Sequence, residues 1–367
     1  MKQTQSSQTK LWRTLKWPFT RLRKYWRKNW WHKAVVVILS LILLSIGGMY
    51  GIARWYIWSE RNTPLTLGTS FVPDYAEFLG VDPHQTLLAI LNDLHPKQLR
   101  LVSYWSDIEP TQGQYNFTEL DWEFQQADLH NTKVTLSIGL RQPRWPECHQ
   151  PDWVANEPVS VWQPQLEQFM STVIDRYKGN PALQSYQLEN EYFLTGFGVC
   201  NNDSRQRLVD EASLVRKLDP NHTLIISRSD NAIGWPIHEP HADEYGISIY
   251  RRVWNPPLGR YVEFPFPSWY YAFLAGAEKI WSGKDTIIHE LQAEAWPPHG
   301  QTIPQTSLAE QNKSINAARL KDTVAFGKAT GMKTIDLWGA EYWYYRMQVL
   351  HDPSLWNAAE EEFTQNQ

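Results

Sequence analysis

The sequence lacks the short motifs that announce the common cofactors. Neither a Gly-x-Gly-x-x-Gly turn after the first strand-like run nor a Walker-type glycine-rich loop occurs, so nothing supports dinucleotide or phosphate binding. Only two of the 367 residues are cysteines, and Cys148 and Cys200 show neither Cys-x-x-Cys nor zinc-ligand spacing. We therefore expect a protein that works without a cofactor and without a metal ion.

Acidic residues are absent from the first 33 positions, which carry ten Lys or Arg. The whole chain has a net charge of −4, so residues 34–367 carry −14. Residues 34–52 contain no charge at all, and nineteen such residues are about the length that crosses a bilayer as a helix. A basic arm directly before such a run favours membrane insertion over nucleic-acid binding.

This pattern predicts a basic cytoplasmic arm at 1–33, a transmembrane anchor at 34–57 and a linker at 58–64. Because positive charge stays inside, the rest of the chain would be extracytoplasmic in a single-pass protein of the cell membrane. A cleaved signal peptide is the alternative, although no clear Ala-x-Ala site follows the apolar run. In an oxidising compartment, a disulfide between Cys148 and Cys200 is allowed, with two free thiols as the alternative.

Short apolar runs then alternate with longer amphipathic segments, which predicts βα units and a parallel sheet. Eight strands over about 285 residues match a (β/α)8 TIM barrel, an α/β fold, at 65–350 better than an open doubly wound sheet. An acidic C-terminal tail is assigned to 351–367, and its last part, Ala358 to Gln367, is expected to fray. The predicted strands are Thr66–Val72, Gln98–Trp105, Lys133–Leu140, Gln184–Glu191, His222–Arg228, Tyr245–Tyr250, Thr286–Glu290 and Lys333–Trp338.

Two glutamates, Glu191 and Glu290, close predicted strands four and seven. The active site of such a barrel lies at the carboxyl ends of its strands, so both side chains would reach it. Hydrolysis of a glycoside through a covalent intermediate needs two carboxyl groups about 5 Å apart. Glu294 lies four residues after Glu290 and is the alternative nucleophile, while strand alternation turns Glu189 and His289 away from the site.

The dipeptide Asn190-Glu191 at the end of strand four resembles the clan A retaining glycoside hydrolases, which include cellulase-like, β-galactosidase-like and xylanase-like families. The resemblance implies that Glu191 is the acid/base and Asn190 contacts the 2-hydroxyl of the sugar. It also implies that Glu290 is the nucleophile, Tyr250 holds it, and Trp338 forms the floor of the −1 subsite.

One departure from this group concerns the arginine that many members carry near the end of strand two. Arg100 stands at the start of the predicted strand, so Arg141 or Arg144 from the third loop is expected to supply the charge. Three further side chains are predicted to bind substrate. Trp145 and Trp296 offer flat faces on which sugars stack, and Glu294 offers a hydrogen-bond acceptor.

The sequence thus predicts a membrane-anchored retaining glycosidase that acts on an extracytoplasmic oligosaccharide or polysaccharide, with carbohydrate and membrane as its partners and no nucleic acid. Two alternatives remain open. One is an inactive carbohydrate-binding barrel, and the other is a transglycosylase in envelope polysaccharide processing. The sugar, the linkage and the oligomeric state do not follow from the residues.

Overall fold

The computed structural model describes residues 30–194, 196–200, 204–227 and 239–366. Most of the basic arm at 1–33 therefore lies outside the described residues, as do Arg228 at the end of the predicted fifth strand and most of the connection that follows it.

Eight parallel strands close into a barrel, which confirms the fold class. Around the barrel, the eight strands follow one another in the order of the chain, and the last pairs with the first. Each predicted strand is present, with ends that differ by up to three residues. The strands are β1 Thr66–Ser70, β2 Gln98–Val102, β3 Lys133–Ile138, β4 Leu183–Leu188, β5 Thr223–Ser227, β6 Glu244–Ile249, β9 Asp285–Gln292 and β10 Thr334–Trp338.

An antiparallel hairpin, β7 Arg252–Asn255 and β8 Arg260–Glu263, is inserted after β6. This hairpin is not among the strands predicted from the sequence. The α-helices are Trp30–Ser59, Pro73–Leu79, Pro83–Ala89, Trp105–Ile108, Thr118–Leu129, Val159–Tyr177, Arg205–Leu218, Ser268–Ser282, Leu308–Ser314, Ala317–Ala329, Ala340–Gln348 and Ser354–Thr364.

From Ser307 to Thr330, where the sequence predicts a single helix, the structure has two helices. The chain leaves helical geometry at Ile315, and the side chain of Asn316 caps the second helix by accepting a hydrogen bond from the backbone N–H of Arg319. Asparagine is a favoured N-cap residue, so this break is readable from the sequence in retrospect.

Strand β9 contains a β-bulge next to its catalytic candidate. Its neighbour β6 pairs Ile247 with Ile288 but Ser248 with Glu290, so β9 holds one extra residue. The pairing with β10 shows the same shift. A bulge interrupts the alternation of side chains between the two faces of a sheet. Strict alternation therefore fails at this point of the barrel.

The N-terminal helix Trp30–Ser59 is long and apolar enough to span a membrane by length and composition, and its most apolar stretch is exposed. The chain divides into two compact units with a boundary between Ile52 and Ala53. Within the second unit, Tyr56 is buried, and Glu60 forms an ion pair of 2.5 Å with Lys279. The predicted linker at 58–64 thus contains one residue, Glu60, that contacts the barrel.

The C-terminal segment is also ordered, contrary to the expected frayed tail. Residues Ser354–Thr364 form a helix whose side chains Leu355, Trp356 and Phe363 are buried. Burial of each of these apolar side chains stabilises the fold by roughly 1.5–3 kcal/mol. Its acidic face is paired as well, since Glu362 contacts Lys328 at 2.9 Å. The segment combines acidic residues with apolar residues at helical spacing. Its acidic composition led to the expectation of a frayed tail, although the apolar residues predict a packed helix.

Candidate active site

A cavity of about 1140 Å³ opens at the carboxyl ends of the strands. Both predicted catalytic glutamates line it, together with five of the seven residues predicted to bind substrate. Asn190 and Arg141 are the two that do not line it. The predicted residues in the wall are Glu191, Tyr250, Glu290, Glu294, Trp296, Trp338 and Trp145.

Glu290 is held by two hydrogen-bond donors, one on β2 and one directly after β6. Its Oε1 accepts a hydrogen bond of 2.9 Å from Nη2 of Arg100, and its Oε2 accepts one of 2.7 Å from the hydroxyl of Tyr250. The side chain is 3% exposed. Both contacts compensate a negative charge and fix the carboxylate plane. Such an arrangement suits a group that must attack a carbon atom from one direction.

Arg100 supplies to Glu290 the positive charge that was expected from Arg141 or Arg144 of the third loop. It lies at the middle of β2, and its side chain points into the barrel and towards the mouth. Its Nε donates to Ser70 Oγ, and its Nη1 donates to Gln187 Oε1 and His289 Nδ1, each at 2.9 Å. A long side chain thus reaches Glu290 from two residues below the strand end, which is why a rule based on strand ends missed it.

His289 also lies inside the barrel, so the expectation that it turns away is wrong. The bulge in β9 is the reason, because it brings His289 and Glu290 to the interior in succession. Arginine can only donate, so Nδ1 of His289 accepts from Arg100 and its Nε2 carries the proton towards Ser227 Oγ at 3.1 Å. Burial, and next the charge of Arg100, lowers the pKa of His289 well below its usual value.

Glu191 lies three residues beyond the end of β4 and is 5% exposed. Its backbone is left-handed, with φ of 43°, and Glu189 has φ of 53°. Such backbone costs on the order of 1–3 kcal/mol per residue and persists only where the surroundings hold it. Here, the carboxylate of Glu189 binds the backbone N–H groups of Leu140 and Arg141 at 2.7 and 2.9 Å.

Further contacts hold Glu189, the residue whose carboxylate fixes the backbone next to Glu191. Arg207 donates a 2.9 Å hydrogen bond to Glu189, so this buried carboxylate is paired. Gly139 has φ of 104°, and a Cβ there would lie 2.4 Å from Oε1 of Glu189. A glycine is therefore required at this position. These contacts give Glu189 a structural role.

Asn190 is 2% exposed and lies beneath the cavity wall. Its Oδ1 accepts a 2.9 Å hydrogen bond from Gln187, and its Nδ2 donates one of 3.1 Å to Oε2 of Glu147. Glu147 lines the catalytic cavity and is itself buried. Burial, and next the negative charge of Glu191, raises the pKa of Glu147 well above its usual value. Besides the predicted pair and Glu294, the cavity therefore contains the carboxyl group of Glu147.

The predicted substrate-binding role of Arg141 is not supported by its position. Its guanidinium donates to the backbone oxygens of Phe197 and Leu194 at 2.8 and 3.3 Å, so it braces the third loop against the fourth. The predicted disulfide joins the same two loops, since Cys148 and Cys200 are bonded with their Cα atoms 5.2 Å apart. The wall beside Glu191 is thus held by both a covalent and a charged contact.

Arg144 organises the opposite side of the cavity. Its guanidinium lies 3.4 Å from the ring centroid of Tyr75 and 4.0 Å from that of Trp338. It also forms an ion pair of 2.6 Å with Glu294. The indole N–H of Trp338 donates to the same Glu294 oxygen at 3.1 Å. Glu294 is thus tied into a network of its own, away from the two donors that hold Glu290.

Aromatic side chains line the outer cavity. Trp145 is 64% exposed and packs edge-on against Phe197, with 6.0 Å between ring centroids. Trp296 is 37% exposed and packs edge-on against Tyr250 at 5.9 Å. Exposed rings held by neighbouring rings offer rigid apolar faces to a ligand. The arrangement suits a sugar, which presents both C–H faces and hydroxyl groups.

Comparison with protein-family models gives no match, and no curated protein matches the sequence. Solved structures do match. Xylanase 10C from Cellvibrio japonicus, solved with xylopentaose, has a TM-score of 0.53 and 15% identity over 83% of this chain and 68% of its own. A GH5_18 protein from Streptomyces cattleya, solved with GlcNAc, has a TM-score of 0.53 and 13% identity over 75% of this chain and 70% of its own.

A β-galactosidase from Halorubrum lacusprofundi has a TM-score of 0.51 and 13% identity over 82% of this chain and 58% of its own. The chain has the barrel fold of the clan A glycoside hydrolases. At these identities the likeness establishes the fold. One fold can carry many activities, so the activity depends on the side chains in the mouth of the barrel.

Glu147 supports a first prediction. An ionised Glu147 disfavours ionisation of Glu191, because the influence of two neighbouring carboxyl groups is mutual. We expect Glu147→Gln to move the alkaline limb of the pH profile of kcat/KM to lower pH. The check is a pH profile with an aryl glycoside. Glu157→Gln, an exposed change in the same loop, is the control, and an unchanged limb in Glu147→Gln contradicts the coupling.

Proposed function

We propose that this protein is a retaining glycoside hydrolase that is anchored in the membrane and acts on an extracytoplasmic glycan. The observation that carries the proposal is the placement of Glu290, clamped by Arg100 and Tyr250, in one cavity with Glu191. The fold likeness to clan A enzymes supports the same activity. A site that only binds sugar has no need of a carboxylate fixed in this way.

In the first step, an oxygen of Glu290 attacks the anomeric carbon, and the bond to the leaving oxygen breaks. Glu191 gives its proton to that oxygen, so the aglycone departs neutral. The sugar remains as an ester of Glu290. Arg100 and Tyr250 fix the orientation of the attacking carboxylate before the bond forms.

In the second step, the ionised Glu191 takes a proton from water as that water attacks the anomeric carbon. The ester bond breaks, and Glu290 returns to its carboxylate form between Arg100 and Tyr250. The ring of Trp338 lies 5.3 Å from the guanidinium carbon of Arg100. It lines the cavity and supplies an apolar floor for the sugar ring. An acceptor sugar in place of water would give transglycosylation from the same residues.

The anchor and the compartment rest on separate observations. The helix Trp30–Ser59 has the length and apolarity of a membrane span, and the basic residues before it favour a cytoplasmic N-terminus. The bond between Cys148 and Cys200 is consistent with an oxidising compartment outside the cytoplasm. A glycan at or beyond the membrane surface is the substrate that this location supports.

The stereochemistry of the first product tests the proposal. Two displacements at one carbon restore the original configuration, so proton NMR of a freshly started reaction should show the anomer that matches the substrate. The assay uses the full-length protein in detergent and a panel of aryl glycosides as substrates. The opposite anomer contradicts the double displacement. Sugar binding without turnover across the panel favours the inactive binding barrel.

A further inference from the structure

A second, shallow cavity of about 910 Å³ lies beside the catalytic cavity. The β7–β8 hairpin separates the two. Arg252 and Trp254 on β7 line the second cavity, while Val253 between them lines the catalytic one. This division follows from the alternation of side chains along a strand. The hairpin therefore presents one face to each cavity.

The second cavity is rich in positive charge. Four of its lining side chains are cationic, Arg252, Arg260, Lys313 and Arg319, and one, Glu310, is acidic. Arg252 and Arg319 share a single carboxylate, Glu263, at 2.9 and 3.0 Å, and Lys313 pairs with Glu310 at 2.5 Å. Two carboxylates thus face four cations.

This local excess of positive charge contrasts with the net negative charge of the chain outside the basic arm. Residues 34–367 carry a net charge of −14, so a cationic cavity is not expected from composition alone. Lys313 is 61% exposed at its side chain, and Arg260 is also exposed, so both can reach a ligand in solution. Lysine and arginine at such positions bind carboxylate, sulfate or phosphate groups.

Aromatic rings form part of the same wall. Trp254 packs edge-on against Tyr261 at 5.2 Å, and His299 lies 4.7 Å from Trp254, measured between ring centroids. The two cavities also share Gln301, which lines both. A chain of sugars that occupies the catalytic cavity can therefore continue over the hairpin without leaving the protein surface.

We propose that the cavity beside the hairpin is a remote subsite that binds an acidic sugar residue, so that the glycan substrate is an anionic polysaccharide. The inference rests on the proposed glycosidase function, because it assigns the substrate class of that site. Rings of the hairpin receive the sugar face, and Arg260 and Lys313 bind the negative group.

The test measures binding of glycans to the full-length protein in detergent, in the Glu290→Gln background to prevent turnover. The probes are acidic oligosaccharides, such as oligogalacturonate and hyaluronan fragments, and neutral cello-oligosaccharides of equal length. We expect at least one acidic probe to bind about tenfold more tightly than the neutral one at low salt, with the difference shrinking as salt is added. Arg260→Gln with Lys313→Gln should remove that difference.

A matched control is Lys178→Gln with Arg216→Gln. Lys178 pairs with an acid three residues before it, as Lys313 does, and Arg216 is a partly exposed arginine on another helix. Equal binding of acidic and neutral probes, or equal loss in both double variants, overturns the inference. Its failure is distinct from failure of the proposed function. Turnover of small neutral aryl glycosides tests the latter alone and should be unchanged in Arg260→Gln with Lys313→Gln.

Discussion

Replacing Glu290 by glutamine is expected to lower kcat by on the order of 10⁵-fold, because the amide cannot form the covalent intermediate. Glutamine keeps nearly the same shape, so the cavity should remain intact. The buried Arg100 would lose a charged partner at 2.9 Å, which makes the stability of the variant part of the measurement. Steady-state kinetics with an aryl glycoside and a thermal unfolding curve together separate lost chemistry from lost folding.

Glu294→Gln is the matched control, since Glu294 lies in the same cavity and also contacts an arginine, at 2.6 Å. The change leaves the Arg100 and Tyr250 contacts of Glu290 in place. We expect a smaller loss, expressed mainly in KM. If Glu294→Gln abolishes turnover while Glu290→Gln retains it, the nucleophile has been assigned to the wrong glutamate.

Replacing Glu191 by alanine is expected to slow hydrolysis in a way that depends on the leaving group. Substrates with poor leaving groups need its proton and should lose about 10²–10⁴-fold in kcat/KM, the usual range for general acid catalysis. Substrates such as dinitrophenyl glycosides need little protonation, so their first step should be nearly normal. The covalent intermediate should then accumulate, because no base activates water.

Azide distinguishes this role from a structural one. It is a nucleophile that needs no general base, and the alanine leaves space for it, so it should restore turnover of activated substrates and yield a glycosyl azide of retained configuration. Glu147→Ala, which removes a neighbouring buried carboxyl group from the same cavity, is the control and should show no rescue. Equal loss on all substrates in Glu191→Ala, without rescue, contradicts the acid/base assignment.

The barrel was predictable because its signal is distributed over many residues. Alternation of strands and helices, and the position of Asn190-Glu191 and Tyr250 at the ends of predicted strands, predicted a site at the carboxyl ends of the strands, where the structure has the cavity. The nearness of Cys148 to Cys200 followed from the same reasoning, since loops after neighbouring strands are neighbours. Each of these inferences needed only the order of the strands.

The side chains whose positions were not predicted depend on features that a strand pattern does not specify. Arg100 was assigned by its position in a strand, whereas the length of its side chain lets it reach Glu290 from below. His289 was misplaced because one extra residue in β9 changes the facing of its neighbours. Glu147 stood in a loop with no periodicity, and only the fold brings it to Asn190. Side-chain reach, bulges and loop paths depend on tertiary contacts.

The central claim is that Glu290 bonds to the sugar during turnover. The measurement that tests it most directly is peptide mapping by mass spectrometry after treatment of the full-length protein with activated 2-deoxy-2-fluoro glycosides of several sugars. For a sugar that the enzyme hydrolyses, the account predicts one added fluorosugar on Glu290. A label on Glu294, or hydrolysis of that sugar with no labelled residue and an inverted product, would contradict it.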